Sequence, residues 1–129
     1  MEAFTHTTTE LPIIQKLIGS YKLWYGVVPN IPKTSRYTLG SKVDALFLDV
    51  IELVFTASYE QPREKIQKLG EANTKLGTLK FFLQIIWELK LIEDKKYIAL
   101  SEELDTIGRI FGGWKRGLLS KLPAPVRGK

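Results

Sequence analysis

Apolar residues return at steps of three and four along most of this chain, the spacing that places them on one face of a helix. Four segments carry the pattern. The first runs from about Thr9 to Val28, with Leu11, Ile14, Ile18, Tyr21, Trp24 and Val28 on one side. Pro12 falls in its opening turn, where a missing N–H costs little, and Pro29-Asn30-Ile31-Pro32 ends it. The second opens between Lys33 and Leu39 and continues to Tyr59 along Leu39, Val43, Leu46, Val50, Leu53 and Ala57. Phe47, Ile51, Val54 and Phe55 add a second apolar row. Such a helix meets neighbours on two sides, either as the central element of one bundle or against another subunit.

Glu60-Gln61-Pro62-Arg63 predicts a turn, and the third helix follows from about Glu64 to Leu91 along Ile66, Leu69, Asn73, Leu76, Leu83 and Ile86. The run Glu93-Asp94-Lys95-Lys96 predicts a charged turn. Ser101 followed by Glu102 and Glu103 suits the start of a fourth helix, its acidic side chains complementing the N-terminal dipole, with Tyr97 as the alternative start. Leu104, Ile107, Phe111, Trp114 and Leu118 form its seam. Four helices of similar length joined by short turns predict an all-α protein, an antiparallel up-down-up-down four-helix bundle with crossing angles near roughly 20°. No strand is needed. Residues 1–121 read as the bundle domain, and 122–129, which carry Pro123 and Pro125, as a flexible basic tail.

Composition narrows the chemistry. At 129 residues and 44% hydrophobic content the chain can build one domain with a real core. Cys is absent and His6 is the single histidine, which excludes disulfides, Cys/His zinc sites, thiol nucleophiles and a Ser-His-Asp triad. The N-terminal stretch lacks the basic flank and small-residue cleavage pattern of a secretory leader, and charges interrupt every apolar run well short of the ~20 residues that span a bilayer. A cytoplasmic protein that avoids the membrane is expected.

The formal charge of +5 is localised. Residues 106–129 hold Arg109, Lys115, Arg116, Lys121, Arg127 and Lys129 without one Asp or Glu, while the rest of the chain is nearly balanced. This charge rides on the fourth helix, and a polyanion is the obvious partner. The same helix contains Gly108, Gly112, Gly113 and Gly117. Each glycine costs roughly 1 kcal/mol relative to Ala in a helix interior, so four imply a close approach that compensates. At 100° per residue, Arg109, Gly112, Gly113 and Arg116 share the face opposite the apolar seam. A phosphate backbone or another protein chain suits that face. The bland reading is a solvated face in which Asp105 pairs with Arg109 one turn on. Contact is favoured, because glycine is poor on a solvated helix.

A second basic group, Lys33, Arg36 and Lys42, surrounds Tyr37 at the start of helix two, where charge and stacking suit a nucleic-acid strand. Ordinary solvated lysines explain it about as well. Lys80, set among Leu79, Phe81, Phe82 and Leu83, must snorkel or face a polar cavity, and in a ring of bundles it would line the centre. Tyr21, Trp24 and Tyr25 are expected in the core before they are expected to stack on bases. Glu52 and Glu88 lack the Glu-x-x-His partners of a bundle metal site, so neither metal nor cofactor is expected.

Taken together, Ile31-Pro32-Lys33…Arg36-Tyr37-Thr38-Leu39-Gly40 and Gly108-Arg109-Ile110-Phe111-Gly112-Gly113-Trp114 carry a family likeness. Over roughly Leu11 to Lys121 the chain resembles the accessory variability determinant (Avd) family of diversity-generating retroelements, within the wider group of four-helix proteins that includes the ribosomal RNA intervening-sequence proteins. The resemblance implies a homopentameric, positively lined barrel that binds the retroelement's reverse transcriptase and its RNA, possesses no activity of its own, and supports adenine-directed mutagenic copying. Mapped by motif, it points to Lys33, Arg36, Lys80, Arg109 and Arg116. The chain departs from the family at Gln84, where a second basic residue can follow the Lys80 position by one turn. The full candidate set for nucleic-acid or reverse-transcriptase binding is Lys33, Arg36, Lys42, Lys80, Arg109, Lys115, Arg116 and Lys121, with Gly112 and Gly113 as a contact face. RNA is the expected nucleic acid, DNA a further one, and no small-molecule substrate is expected. The alternative reading is a stand-alone RNA-binding bundle of the intervening-sequence type. An enzyme built in the bundle core is the third, and it lacks ligands.

Overall fold

The structure, a computed structural model, describes residues 10–122, and every regular element among them is helical. Helix α1 is Glu10–Val27. Pro29 then stops the chain in a tight 3-10 turn, Val28–Asn30, and Ile31 follows in extended conformation with its side chain fully buried, closing that end of the core. The next helix is continuous but not uniform: one α-turn, Lys33–Ser35, passes into a π-helical segment, Arg36–Gly40, and resumes as Ser41–Ala57. These three stretches are α2. The Ser41 hydroxyl donates to the Arg36 carbonyl at 3.2 Å, satisfying an oxygen that the widened turn displaces from the regular ladder.

Helix α3 is Pro62–Glu88 and α4 is Asp94–Lys121. Pro62 occupies the first position of α3, where proline is pre-set for a helix, and Gln61 before it is extended. The other end of α3 differs from the sequence expectation, which carried the helix to Leu91. Lys90 sits at φ 61°, and the N–H groups of Lys90 and Leu91 donate back to the carbonyls of Trp87 and Ile86. This left-handed cap terminates α3 at Glu88. Helix α4 accordingly starts seven residues before Ser101. The acidic pair Glu93-Asp94 marks its N-terminus, the Trp87 indole N–H donates to Asp94 Oδ1 at 2.8 Å, and Trp87 stacks on Tyr97 with ring centroids 4.7 Å apart. The charged run conceals this turn, because Lys95 and Lys96 both face solvent and give no apolar period before Tyr97.

Each helix packs on two others, α1 on α2 and α4, and α3 on α2 and α4. Between them lies one core, in which Trp24, Phe47, Phe111, Leu76, Leu83 and Ile86 are fully buried. Side chains of this size each contribute about 1.5–3 kcal/mol on burial. Contacts along α2 and α3 run in opposite numerical order, Lys42 against Phe82 and Asp49 against Lys75. Those along α3 and α4 do the same, Lys80 against Asp105, Leu76 against Gly108 and Lys65 against Trp114.

The seams of α2 and α4 fall where the period places them. That of α1 is turned by one position: Ile13, Leu17, Ser20, Trp24 and Val27 are buried, while Ile18 is exposed. A polar residue inside the true stripe disguises it. The Ser20 hydroxyl, fully buried, donates to Glu103 Oε1 of α4 at 2.8 Å. On α3, Ala72 and Leu79 take core positions and Asn73 faces outward.

Asp44 ties α1 to α2. It accepts from the Tyr21 hydroxyl at 2.8 Å and from the Trp24 indole N–H at 3.2 Å. Desolvation, and then the Asp44 carboxylate, push the Tyr21 hydroxyl from 10.0 up to about 12. Folding therefore holds this proton more tightly than the unfolded chain does. The associated stability is complete below pH 10 and is lost as pH rises toward 12. Denaturant midpoints followed across that window should fall more steeply for the wild type than for Tyr21→Phe; parallel curves would remove the linkage.

Candidate nucleic-acid interface

The outer face of α4 carries the densest positive charge among the described residues. Arg109 and Arg116 are exposed two turns apart on it, and Arg109 donates to Thr106 Oγ1 at 3.2 Å. The four glycines of this helix divide by environment. A Cβ on Gly108 would lie 3.5 Å from Leu76 Cδ2, an ordinary van der Waals contact, so the packing of α3 on α4 does not itself require a glycine there. At Gly112 and Gly113 the nearest atoms are the Arg116 guanidinium nitrogens, at 3.4 and 3.8 Å from the added carbon. Arg116 thus folds back over the bare backbone of the preceding turn. Gly117 faces open space.

Lys80 keeps its charged head at the surface. Its ammonium reaches α4 and pairs with Asp105 Oδ1 at 2.6 Å, both side chains about half exposed. Asp105 is thereby turned toward Lys80, and Arg109 takes the Thr106 hydroxyl. An exposed pair of this kind contributes up to about 1 kcal/mol and yields to salt or to a competing anion. Lys115 leaves α4 toward α3, its ammonium 3.8 Å from the position of a Cβ on Gly70. Lys121 is exposed in the last turn of α4. The tail residues Arg127 and Lys129 lie outside the described residues.

The second basic group disperses. Lys33 is exposed at the start of α2. The Arg36 guanidinium donates to the Ile31 carbonyl at 2.9 and 3.2 Å and to the Pro29 carbonyl at 3.1 Å, bracing the Val28–Asn30 turn. Its task in the fold is to satisfy carbonyls that the prolines strand. Lys42 turns the other way and sits 5.8 Å above the Phe82 ring. It lines the groove between α2 and α3 with Gly70, Thr74, Lys75 and Thr78. The structure therefore gathers Lys80, Arg109, Lys115 and Arg116 along the α3–α4 side, with Lys42 across α3. It sets Lys33 and Arg36 at the opposite end from Lys121, about 40 Å away by the length of a 28-residue helix.

Two cations here escape a reading of the sequence by charge runs. Lys65 lies 6.0 Å above the Trp114 ring, and Lys75 bonds Asp49 Oδ2 at 3.3 Å. Both sit on α3 among acidic neighbours, and only the pairing of α3 with α2 and α4 brings them beside the others. Among the described residues no group of three or more acidic or histidine side chains is arranged to hold a metal ion, and no helix is long and apolar enough to cross a membrane.

Residues 12–118 match the protein-family model described as bAvd-like. The chain belongs to the bAvd-like family. The match spans all four helices and takes in every candidate cation except Lys121, so the family likeness carried by the proline-bounded loop and the glycine-bearing helix extends over the whole bundle. No curated protein matches this bAvd-like chain.

Proposed function

We propose that this bAvd-like protein is a non-enzymatic accessory factor of a diversity-generating retroelement, which binds the element's reverse transcriptase and template RNA in the cytoplasm. The observation that carries the reading is the family match over residues 12–118, joined to an α4 face on which Arg109 and Arg116 stand without an acidic residue from Thr106 onward. Phosphates bind such a face by displacing counterions, and planar guanidiniums suit their geometry. The helices run up-down-up-down, a reading supported by the opposed order of contacts along α2–α3 and α3–α4. The bundles assemble as a homopentamer, which unites the cations of five copies on one surface and gives a long RNA many weak contacts.

The test is binding of a template-repeat RNA across a series of salt concentrations, together with capture of the reverse transcriptase. Each neutralised phosphate contributes about −0.7 to −0.9 to the log–log slope. Arg109→Gln with Arg116→Gln should therefore flatten the slope by roughly 1.4 to 1.8, with helical content unchanged. A double variant that binds with the wild-type affinity and slope would assign these arginines to the protein's own packing.

A further inference from the structure

The outward face of α3 holds a second feature, distinct from the arginine face of α4. Gly70, Thr74, Gly77 and Phe81 follow one another along it at helical spacing. The first three are small and uncharged, so the surface is a shallow ledge that ends at an aromatic ring. Phe81 is 57% exposed, the largest value for any phenylalanine among the described residues. Burial does not account for it. Phe81 also meets Phe82 edge to face, centroids 5.6 Å apart and planes at 77°.

Cations fence this ledge on both sides. Lys42 stands over Phe82, with Lys75 farther along the α2 side, while Lys80 and Lys115 border the α4 side. The acidic groups nearby are Glu71 in the α2–α3 groove, Asp49 on Lys75, Asp105 on Lys80, and Glu88, which accepts from the Gln84 amide at 2.9 Å. Of these, Glu71 borders the ledge at its Gly70 end, in the groove it shares with Gly70 and Thr74, and none stands between Thr74 and Phe81.

We propose that the α3 face carries one strand of single-stranded nucleic acid, with an unpaired base stacked on Phe81 and phosphates held by Lys42 and Lys80. The proposal rests on the nucleic-acid reading above and names the form of nucleic acid that is bound. A stacked base needs an exposed π-face flanked by positive charge, and Phe81 is such a group. A duplex hides its bases in the stack, so it gains the lysines and not the ring. A protein partner would call for a broad apolar surface, whereas here one ring stands among glycine, threonine and lysine.

The experiment compares a short single-stranded RNA with a duplex of the same sequence on wild type, Phe81→Ala, Phe81→Trp and Asp105→Asn, with light scattering on each protein. Base stacking on an aromatic side chain is worth about 1–3 kcal/mol, so Phe81→Ala should weaken single-strand binding by roughly 5- to 150-fold and leave the salt slope and duplex affinity unchanged. Phe81→Trp should restore binding, and its indole emission should change when the strand is added. Asp105→Asn should tighten binding, since it releases Lys80. Equal single-strand affinity for Phe81→Ala and wild type overturns the proposal while the nucleic-acid reading stands. An equal loss on duplex and single strand, or a change of mass in Phe81→Ala, also overturns it, the latter by assigning Phe81 to a contact between copies. A wild-type protein that binds neither nucleic acid ends the broader reading and this one with it.

Discussion

If the chain assembles as the proposed homopentamer, Leu48→Glu should convert it into separate 14.7 kDa chains that stay helical. The expectation comes from the side of α2 that the core does not use. Leu48 is 47% exposed and shares a groove between α1 and α2 with Tyr25 and Tyr37, which are 68% and 64% exposed, and with Val28 and Ala45. Tyr21 also lines this groove, together with Arg36, Ser41 and Asp44, and exposed apolar and aromatic side chains set beside a few polar groups suit burial between subunits. Each copy that buries Leu48 gains about 1.5–3 kcal/mol, and a carboxylate at the same place must be desolvated without a partner. In a closed ring the penalty recurs at every interface. Light scattering should give five times 14.7 kDa for the wild type and a single copy for the variant. A wild-type chain that is monomeric at micromolar concentration, or a Leu48→Glu protein of unchanged mass, would sink the ring.

Gly112→Ala with Gly113→Ala separates stability from contact. Within one chain the added methyl groups meet only the far end of Arg116, at 3.4 and 3.8 Å, and a flexible guanidinium moves aside at small cost. The isolated bundle should gain up to roughly 1 kcal/mol per site, since Ala is the better helix former. For a helical domain of this size that raises the melting temperature by several degrees. If a phosphate backbone or another polypeptide lies against the bare turn, the same methyl groups hold it off. Circular dichroism and RNA binding read together should thus show a protein that melts higher and binds or assembles poorly. A double variant that melts higher and keeps full binding and mass would identify the turn as solvated.

The fold was legible wherever period and burial agree. Val43, Leu46, Val50, Leu104, Ile107 and Phe111 announce their helices and are buried in them. Legibility failed where a polar group does structural work. Ser20 lies in the buried stripe of α1 and turns the apparent seam by one residue, and the Glu93–Lys96 run resembles a turn although Asp94 begins a helix. The candidate site was half legible. The charge of α4 is written in one continuous stretch, so Arg109 and Arg116 can be found from composition. Pairings across helices are not written locally. That Lys80 would reach Asp105, or that Lys65 would stand over Trp114, depends on which residues α3 and α4 set side by side. The exposure of Phe81 was concealed for the same reason, since its apolar neighbours Leu79, Phe82 and Leu83 suggest burial and only the helix axis decides which of the four turns outward.

The bond from the buried Ser20 hydroxyl to the exposed Glu103 carboxylate acts as an alignment key between the first and last helices. Hydrocarbon alone tolerates sliding, because one leucine fills the place of another. A hydroxyl is choosier, since a slip of one turn would cost it the Glu103 carboxylate and leave it only a carbonyl of its own helix, a loss of about 0.5–1.5 kcal/mol. Every misaligned docking of α1 on α4 carries that penalty, and the native one escapes it. The terminal helices have no short loop between them to set their alignment. A single serine supplies what the connectivity leaves open, and it does so by making the alternatives worse.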